Sequence, residues 1–223
     1  MKVKVNALAD THVYTKKEEL VNAITHGIGA MLSIAALFFL IIYSAEQGKP
    51  WHLAASIIYG ISMLVLYMAS TLVHSFPPGR AKDLFEIFDH SAIYFFIAGT
   101  YTPFMIICVN GVLGWSLLGI VWGIAMGGVI FKAFFVKKFL FLSTLLYLVM
   151  GWMIVAAWSP LSAALPQNGM YLLIFGGVMY TAGALFYVWR GFPFHHAVWH
   201  LFVLGGSAAH FFAILLYVLP LDA

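Results

Sequence analysis

The chain has 223 residues, of which 63% are hydrophobic and 9% charged, and a formal net charge of +3. That composition excludes a soluble globular domain and leaves one integral membrane domain with no separate soluble one beside it. The small positive charge is no signature of nucleic-acid binding.

Residues 1–17 read as a polar N-terminal segment, mobile or lying on the membrane surface, and 18–223 as a single membrane domain. No secretory signal peptide is expected. The first apolar stretch carries Asn22, Thr25 and His26 near its start and has no convincing small-residue cleavage site after it. The uncharged gaps in the remainder are long enough for one or two membrane spans each. Turn signals divide the two longest: Asn110-Gly111, and the stretch from Pro160 to Gly169. The division predicts seven helices, roughly 22–44, 52–74, 87–108, 112–132, 139–159, 170–190 and 196–219. The runs are too long and too apolar for a transmembrane β-barrel. The fold class is therefore an all-α integral membrane protein, a seven-helix bundle.

Charge sets its orientation. With a cytoplasmic N-terminus, ten of the eleven Lys and Arg residues fall on inside segments and only Lys49 falls outside. The C-terminus then lies outside. Trp51, Trp115 and Trp158 read as interfacial belt residues. Pro103 predicts a kink in the third helix. Gly127-Gly128, Gly176-Gly177 and Gly205-Gly206 suit close helix packing.

The same orientation gathers polar residues at one depth, near the inner leaflet. Ser70 and His74 end the second helix, Asp89 lies near the start of the third, and His196 and His200 begin the seventh. Glu19, Asn22, Thr25 and His26 begin the first. Ionisable residues at such positions are costly and usually functional. The i, i+4 spacing of His196 and His200 puts both imidazoles on one helical face, and Ser70 and His74 share that spacing. Three histidines and a carboxylate suit a metal such as zinc. Three imidazole ligands leave one coordination position open, and bound zinc lowers the pKa of water to about 7. Asp89 is placed to accept a proton from that water. Ser70, about 6 Å deeper than His74, is placed to hold the water or a developing oxyanion.

Plainer readings stand beside these. The His196–His200 pair also suits interfacial histidines facing lipid head groups. Asp89 also suits a helix N-terminus favoured by the macrodipole. Ser70 also suits back-bonding to its own helix. His26 and Glu19 read as bracing or entrance residues. His90 and His195 point about 100° away from their motif neighbours. His210, about 15 Å beyond His200, reads as a packed interior group. His12 and His52 read as surface residues. The single cysteine, Cys108, excludes an internal disulfide and a cysteine-based zinc site. No nucleotide loop or nucleophile elbow is present.

Four stretches carry a family resemblance: Glu19 to Gly27, Ser70-x-x-x-His74, Asp89 to Tyr94 followed by Ile97 to Phe104, and His196-x-x-x-His200. In order and spacing, from about residue 18 to the C-terminus, they resemble the bacterial hemolysin III branch of the progestin and adipoQ receptor family, most closely its proteobacterial inner-membrane members. The resemblance implies seven helices with a cytoplasmic N-terminus. It implies a zinc ion held by His74, His196 and His200, with Asp89 and Ser70 acting around a zinc-bound water. Members of the wider superfamily hydrolyse lipid amides, so membrane lipids are the implied substrate or ligand. The expected function is a zinc-dependent membrane hydrolase of a lipid amide or ester in the bacterial inner membrane. The alternative is a non-enzymatic regulator or receptor-like protein with structural zinc. A pore is disfavoured, because a water-filled channel needs polar positions through the full membrane depth.

Overall fold

The computed structural model describes residues 13–47 and 49–221. Among them seven helices are long and apolar enough to cross a membrane, and no strand occurs. They are α1 (Lys16–Glu46), α2 (Pro50–Ser75), α3 (Arg80–Val109), α4 (Gly111–Phe135), α5 (Leu140–Ala164), α6 (Gln167–Val188) and α7 (His195–Val218). The chain is a multi-pass membrane protein. Its large exposed side chains, Phe38, Phe134, Phe141 and Leu201 among them, face outward where hydrocarbon covers them.

Helix starts differ most from the expected bounds. α1 begins at Lys16, six residues early, because Thr15 and Glu18 form a capping box. The Thr15 hydroxyl accepts from the Glu18 amide at 3.3 Å, and the Glu18 carboxylate accepts from the Thr15 amide at 2.8 Å. α3 begins at Arg80, seven residues early, with a charged first turn that apolar periodicity alone does not reveal. Between α3 and α4 the Asn110-Gly111 turn is present as expected. Both residues have positive φ (50° and 56°), and the Asn110 side chain accepts from the Gly111 amide at 2.6 Å.

Two prolines are absorbed rather than obeyed. Pro160 was expected to lie in a turn, yet α5 runs on to Ala164. A short 3₁₀ stretch, Met153–Ala157, interrupts the helix, and an α-helical segment restarts at Trp158. Pro160 then falls in the first turn of that segment, where an amide has no intrahelical acceptor anyway. Pro103 ends the α-helical part of α3. The following Phe104–Val109 winds as a π-helix, and the Asn110 amide reaches back five residues to the Met105 carbonyl at 2.9 Å.

Helix α1 packs against α2 and against α7, and α2 packs against α3. That arrangement brings the start of α1, the end of α2 and the starts of α3 and α7 together at one end of the bundle. At the other end Trp51 and Trp115 are exposed with ring centroids 5.6 Å apart, as a belt pair should be. Of the paired glycines, Gly128 lies against the Tyr94 ring and Gly176 against the His210 ring, each too close for a Cβ. Gly127 and Gly119 meet nothing within 4 Å. His52 is not a surface residue. It is 2% exposed, and its Nε2 donates to the Leu221 carbonyl at 3.0 Å, beside a second bond of 3.0 Å from the Lys49 ammonium. A carbonyl just past the end of α7 has no intrahelical donor, and these two supply the bonds. His12 lies outside the described residues.

Candidate metal centre

His74, His196 and His200 converge. Each offers one ring nitrogen such that the three nitrogens lie within 4.8 Å of one another. Ring centroids stand 5.0 Å apart for His74–His196, 5.3 Å for His74–His200 and 4.5 Å for His196–His200. All three side chains are buried. One helical turn separates the α7 pair, and the last turn of α2 supplies the third ring. No other described group of three or more His, Cys, Asp or Glu residues has this geometry.

The donor chemistry fits a divalent transition ion. His74 Nε2 is buried with no hydrogen-bond partner, as is His196 Nδ1. A buried imidazole nitrogen without a partner costs free energy that a metal bond would recover. The opposite nitrogen of His74 is occupied: Nδ1 donates to Glu19 Oε2 at 2.7 Å. His200 Nδ1 contacts the Thr25 hydroxyl at 3.0 Å. The ring of His26 stacks flat on His200, centroids 3.4 Å apart and 11° from parallel. His26 thus touches a candidate ligand without joining the converging group.

Asp89 and Ser70 lie beside this cluster. Both line the same cavity as His196 and His200. Ser70 is 1% exposed. Asp89 contributes no oxygen to the converging group, and its carboxylate lies 3.6 Å from His90 Nδ1. His90 itself is held away from the triad, between the Glu86 carbonyl (2.9 Å) and the Tyr187 hydroxyl (3.1 Å). From Asp89 and Ser70 the cavity runs inward among α3, α5, α6 and α7, past Phe104 and Leu173 to His210. Its walls are largely apolar and aromatic. His210 is buried there, its Nε2 bonded to the Leu173 carbonyl at 3.1 Å, and it is the packed interior group expected of it.

Three contributors escaped the sequence reading. Tyr14, outside the spans, sets its ring 5.1 Å from His196 and 5.9 Å from both His74 and His195. Burial pushes its phenol above the usual tyrosine range. Glu18 is buried and ties this N-terminal segment to α7, accepting from the Phe194 amide at 3.0 Å. Lys82 donates to Glu19 Oε1 at 2.8 Å and to the Val73 carbonyl at 2.7 Å. The capping pattern Thr15-x-x-Glu18 was a visible signal that the helix, and so Tyr14, begins earlier.

Fold and site together define a seven-helix membrane protein with a three-histidine cluster buried at one end. The chain belongs to the haemolysin-III related family, whose model matches residues 14–211. A hemolysin-3 homolog of Bacillus subtilis (strain 168) is 56% identical over 205 residues, covering 92% of this chain and 96% of the relative. Hemolysin-3 of Bacillus cereus is 55% identical over 204 residues, covering 92% and 93%. The monocyte to macrophage differentiation factor of Homo sapiens is 30% identical over 210 residues, covering 90% and 84%. The family match begins at Tyr14, the residue that lies over the cluster.

Proposed function

We propose that the chain is a zinc-dependent membrane hydrolase acting on a lipid amide or ester. One observation carries this reading: three buried imidazoles converge, and two of them, His196 and His200, line an apolar cavity that Asp89 and Ser70 also line. His74, His196 and His200 would hold the ion, which would supply Lewis acidity toward a carbonyl oxygen and acidify a water. Asp89, standing outside the ligand group, acts as general base and takes the proton of the attacking water. The Ser70 hydroxyl donates to the oxygen on which negative charge develops. The apolar cavity receives the hydrocarbon part of the substrate and excludes bulk water.

The lysine and arginine distribution supports a cytoplasmic N-terminus, with the histidine cluster at the cytoplasmic side, and the seven apolar helices together with the bacterial relatives support a place in the bacterial inner membrane. A non-enzymatic regulator with structural zinc is the competing reading, and it requires a fourth protein ligand to close the shell. Asp89's place outside the converging group supports the hydrolase instead. The relatives' hemolysin names suggest lysis. Most of the buried ionisable residues here, however, lie at one end of the bundle: Glu18, His26, His74, Lys132, His195, His196 and His200, against His52 and His210 elsewhere.

The test is metal analysis of the purified protein, followed by turnover of lipid amides and esters. Stoichiometric zinc with hydrolysis is expected. A zinc-loaded, folded sample inert toward a broad lipid panel would shift the reading to the regulator.

A further inference from the structure

We infer that Glu19 and Thr25 of α1 are positioning residues that preset two of the three imidazoles, His74 and His200, with Nε2 facing the ion. The inference rests on the metal-centre reading above and adds residues that touch no metal themselves.

The hydrogen-bond roles follow from proton counting. Glu19 Oε2 is a carboxylate oxygen, so at 2.7 Å it accepts, and His74 Nδ1 carries the hydrogen. A neutral imidazole has one N–H, so the lone pair is on Nε2. That is the buried nitrogen with no partner. Thr25 has a single hydroxyl proton, and two backbone carbonyls compete for it, Asn22 at 2.9 Å and Val21 at 3.0 Å. Toward His200 Nδ1, at 3.0 Å, Thr25 therefore accepts. His200 Nδ1 carries the hydrogen, and its lone pair too is on Nε2. Two unrelated side chains of one helix impose the same tautomer on ligands from two other helices.

Each brace is itself held. Lys82 grips the other Glu19 oxygen at 2.8 Å and the Val73 carbonyl at 2.7 Å, so Glu19 is fixed relative to the residue preceding His74. Thr25 is fixed by its bonds to its own helix. Helix α1 packs against both α2 and α7, which lets a single element serve both ligands. The two braces differ in charge. Glu19 brings a negative charge to the far side of a ligand ring and strengthens that ring as a donor to a cation. Thr25 orients without adding charge. Partners of this kind typically account for about 10–100-fold in metal affinity.

The experiment measures zinc affinity of the full-length protein in detergent, by competition with a chromophoric chelator, with no substrate present. Thr25→Val removes the hydroxyl at nearly constant shape and is expected to weaken zinc about tenfold, while Thr25→Ser retains near-parental affinity. Glu19→Gln is expected to weaken zinc at least as much, and Lys82→Met by less, because it loosens Glu19 without removing it. Substitution with cobalt(II) should show altered d–d bands in Thr25→Val and unaltered bands in Thr25→Ser. Affinities for Thr25→Val and Glu19→Gln within twofold of the parent would overturn the inference. A folded parent that takes up no zinc would overturn the metal-centre reading itself, an outcome visible before any substitution is made. If Glu19→Gln does not fold, Thr25→Val and Lys82→Met carry the decision, and parental affinity in both overturns it.

Discussion

Tyr14 lays its ring over His196, centroids 5.1 Å apart and 41° from parallel. The contact closes the end of the histidine cluster that faces the N-terminal segment, and the Glu18 bond to the Phe194 amide keeps it closed. An ion leaving toward that side has to pass the ring. Tyr14→Ala is therefore expected to release metal to an excess of chelator severalfold faster than the parent, at nearly unchanged equilibrium affinity. Tyr14→Phe keeps the ring and should exchange at the parental rate. Stopped-flow chelation distinguishes the two. Equal rates in all three proteins would show that the ring does not guard the site.

Asp89 and Ser70 line the cavity without joining the triad, so binding and turnover should separate at these positions. Asp89→Asn is expected to retain its metal and lose about 10²–10⁴-fold in kcat, the usual contribution of a general base. Ser70→Ala should likewise retain metal and lower kcat. His74→Ala, in contrast, should lose the metal. Metal content and single-turnover rates measured on one preparation of each variant decide the matter. Loss of metal in Asp89→Asn would place its carboxylate in the ligand shell. Acidification should weaken zinc in the parent, because protons compete for the same ring nitrogens.

Much of this was legible before any coordinates. Seven apolar runs separated by charge give seven helices, because backbone in hydrocarbon has few other choices. The triad was legible too, because the i, i+4 spacing of His196 and His200 and the shared depth of His74 leave little freedom. What stayed hidden depends on tertiary contact. Glu19 reads as a bracing or entrance residue, but which ring it braces shows only when the last turn of α2 brings His74 to it across 55 residues of sequence. Tyr14 sits in a segment whose polarity suggested a surface position, and only the capping box and the Glu18–Phe194 bond turn it inward. His52 looked superficial because a histidine near a loop usually is, whereas here the backbone at Leu221 packs against it.

The Leu221 carbonyl accepts from both His52 and Lys49, each at 3.0 Å. Either donor alone keeps the carbonyl satisfied. His52→Leu is thus expected to cost about 1 kcal/mol, the net value of one hydrogen bond. Adding Lys49→Met should cost more than the sum of the two single changes, since the carbonyl then loses both of these donors. A double-mutant cycle on thermal unfolding in detergent reads the coupling. Strict additivity would show that the two bonds are independent.

Lys137 donates to Asp83 at 2.5 Å, and this bond raises its pKa above the ordinary lysine range. The side chains are 44% and 59% exposed, so solvent screening limits the pair to under about 1 kcal/mol. Because the folded-state pKa is the higher one, the contribution is fully present below the ordinary lysine pKa. It is lost as pH rises through the folded value. Lys137→Met should lower the unfolding midpoint slightly at neutral pH and progressively less under strongly alkaline conditions. A deficit that grows with pH would contradict this sign.

Gly176 of α6 lies directly against the His210 ring of α7. A Cβ there would stand 2.2 Å from His210 Cδ2 and 2.3 Å from its Nε2. The imidazole cannot swing aside cheaply, because Nε2 is bonded to the Leu173 carbonyl at 3.1 Å. Gly176→Ala is therefore expected to destabilise by about 1–3 kcal/mol through overpacking. Gly177, whose Cβ would meet Trp152 no closer than 3.6 Å, should tolerate alanine with little change. Combining Gly176→Ala with His210→Ala removes the obstructing ring, so the double variant should be more stable than the two single losses added together. If Gly176→Ala and Gly177→Ala unfold at the same temperature, the α6–α7 contact is looser than the His210 ring implies.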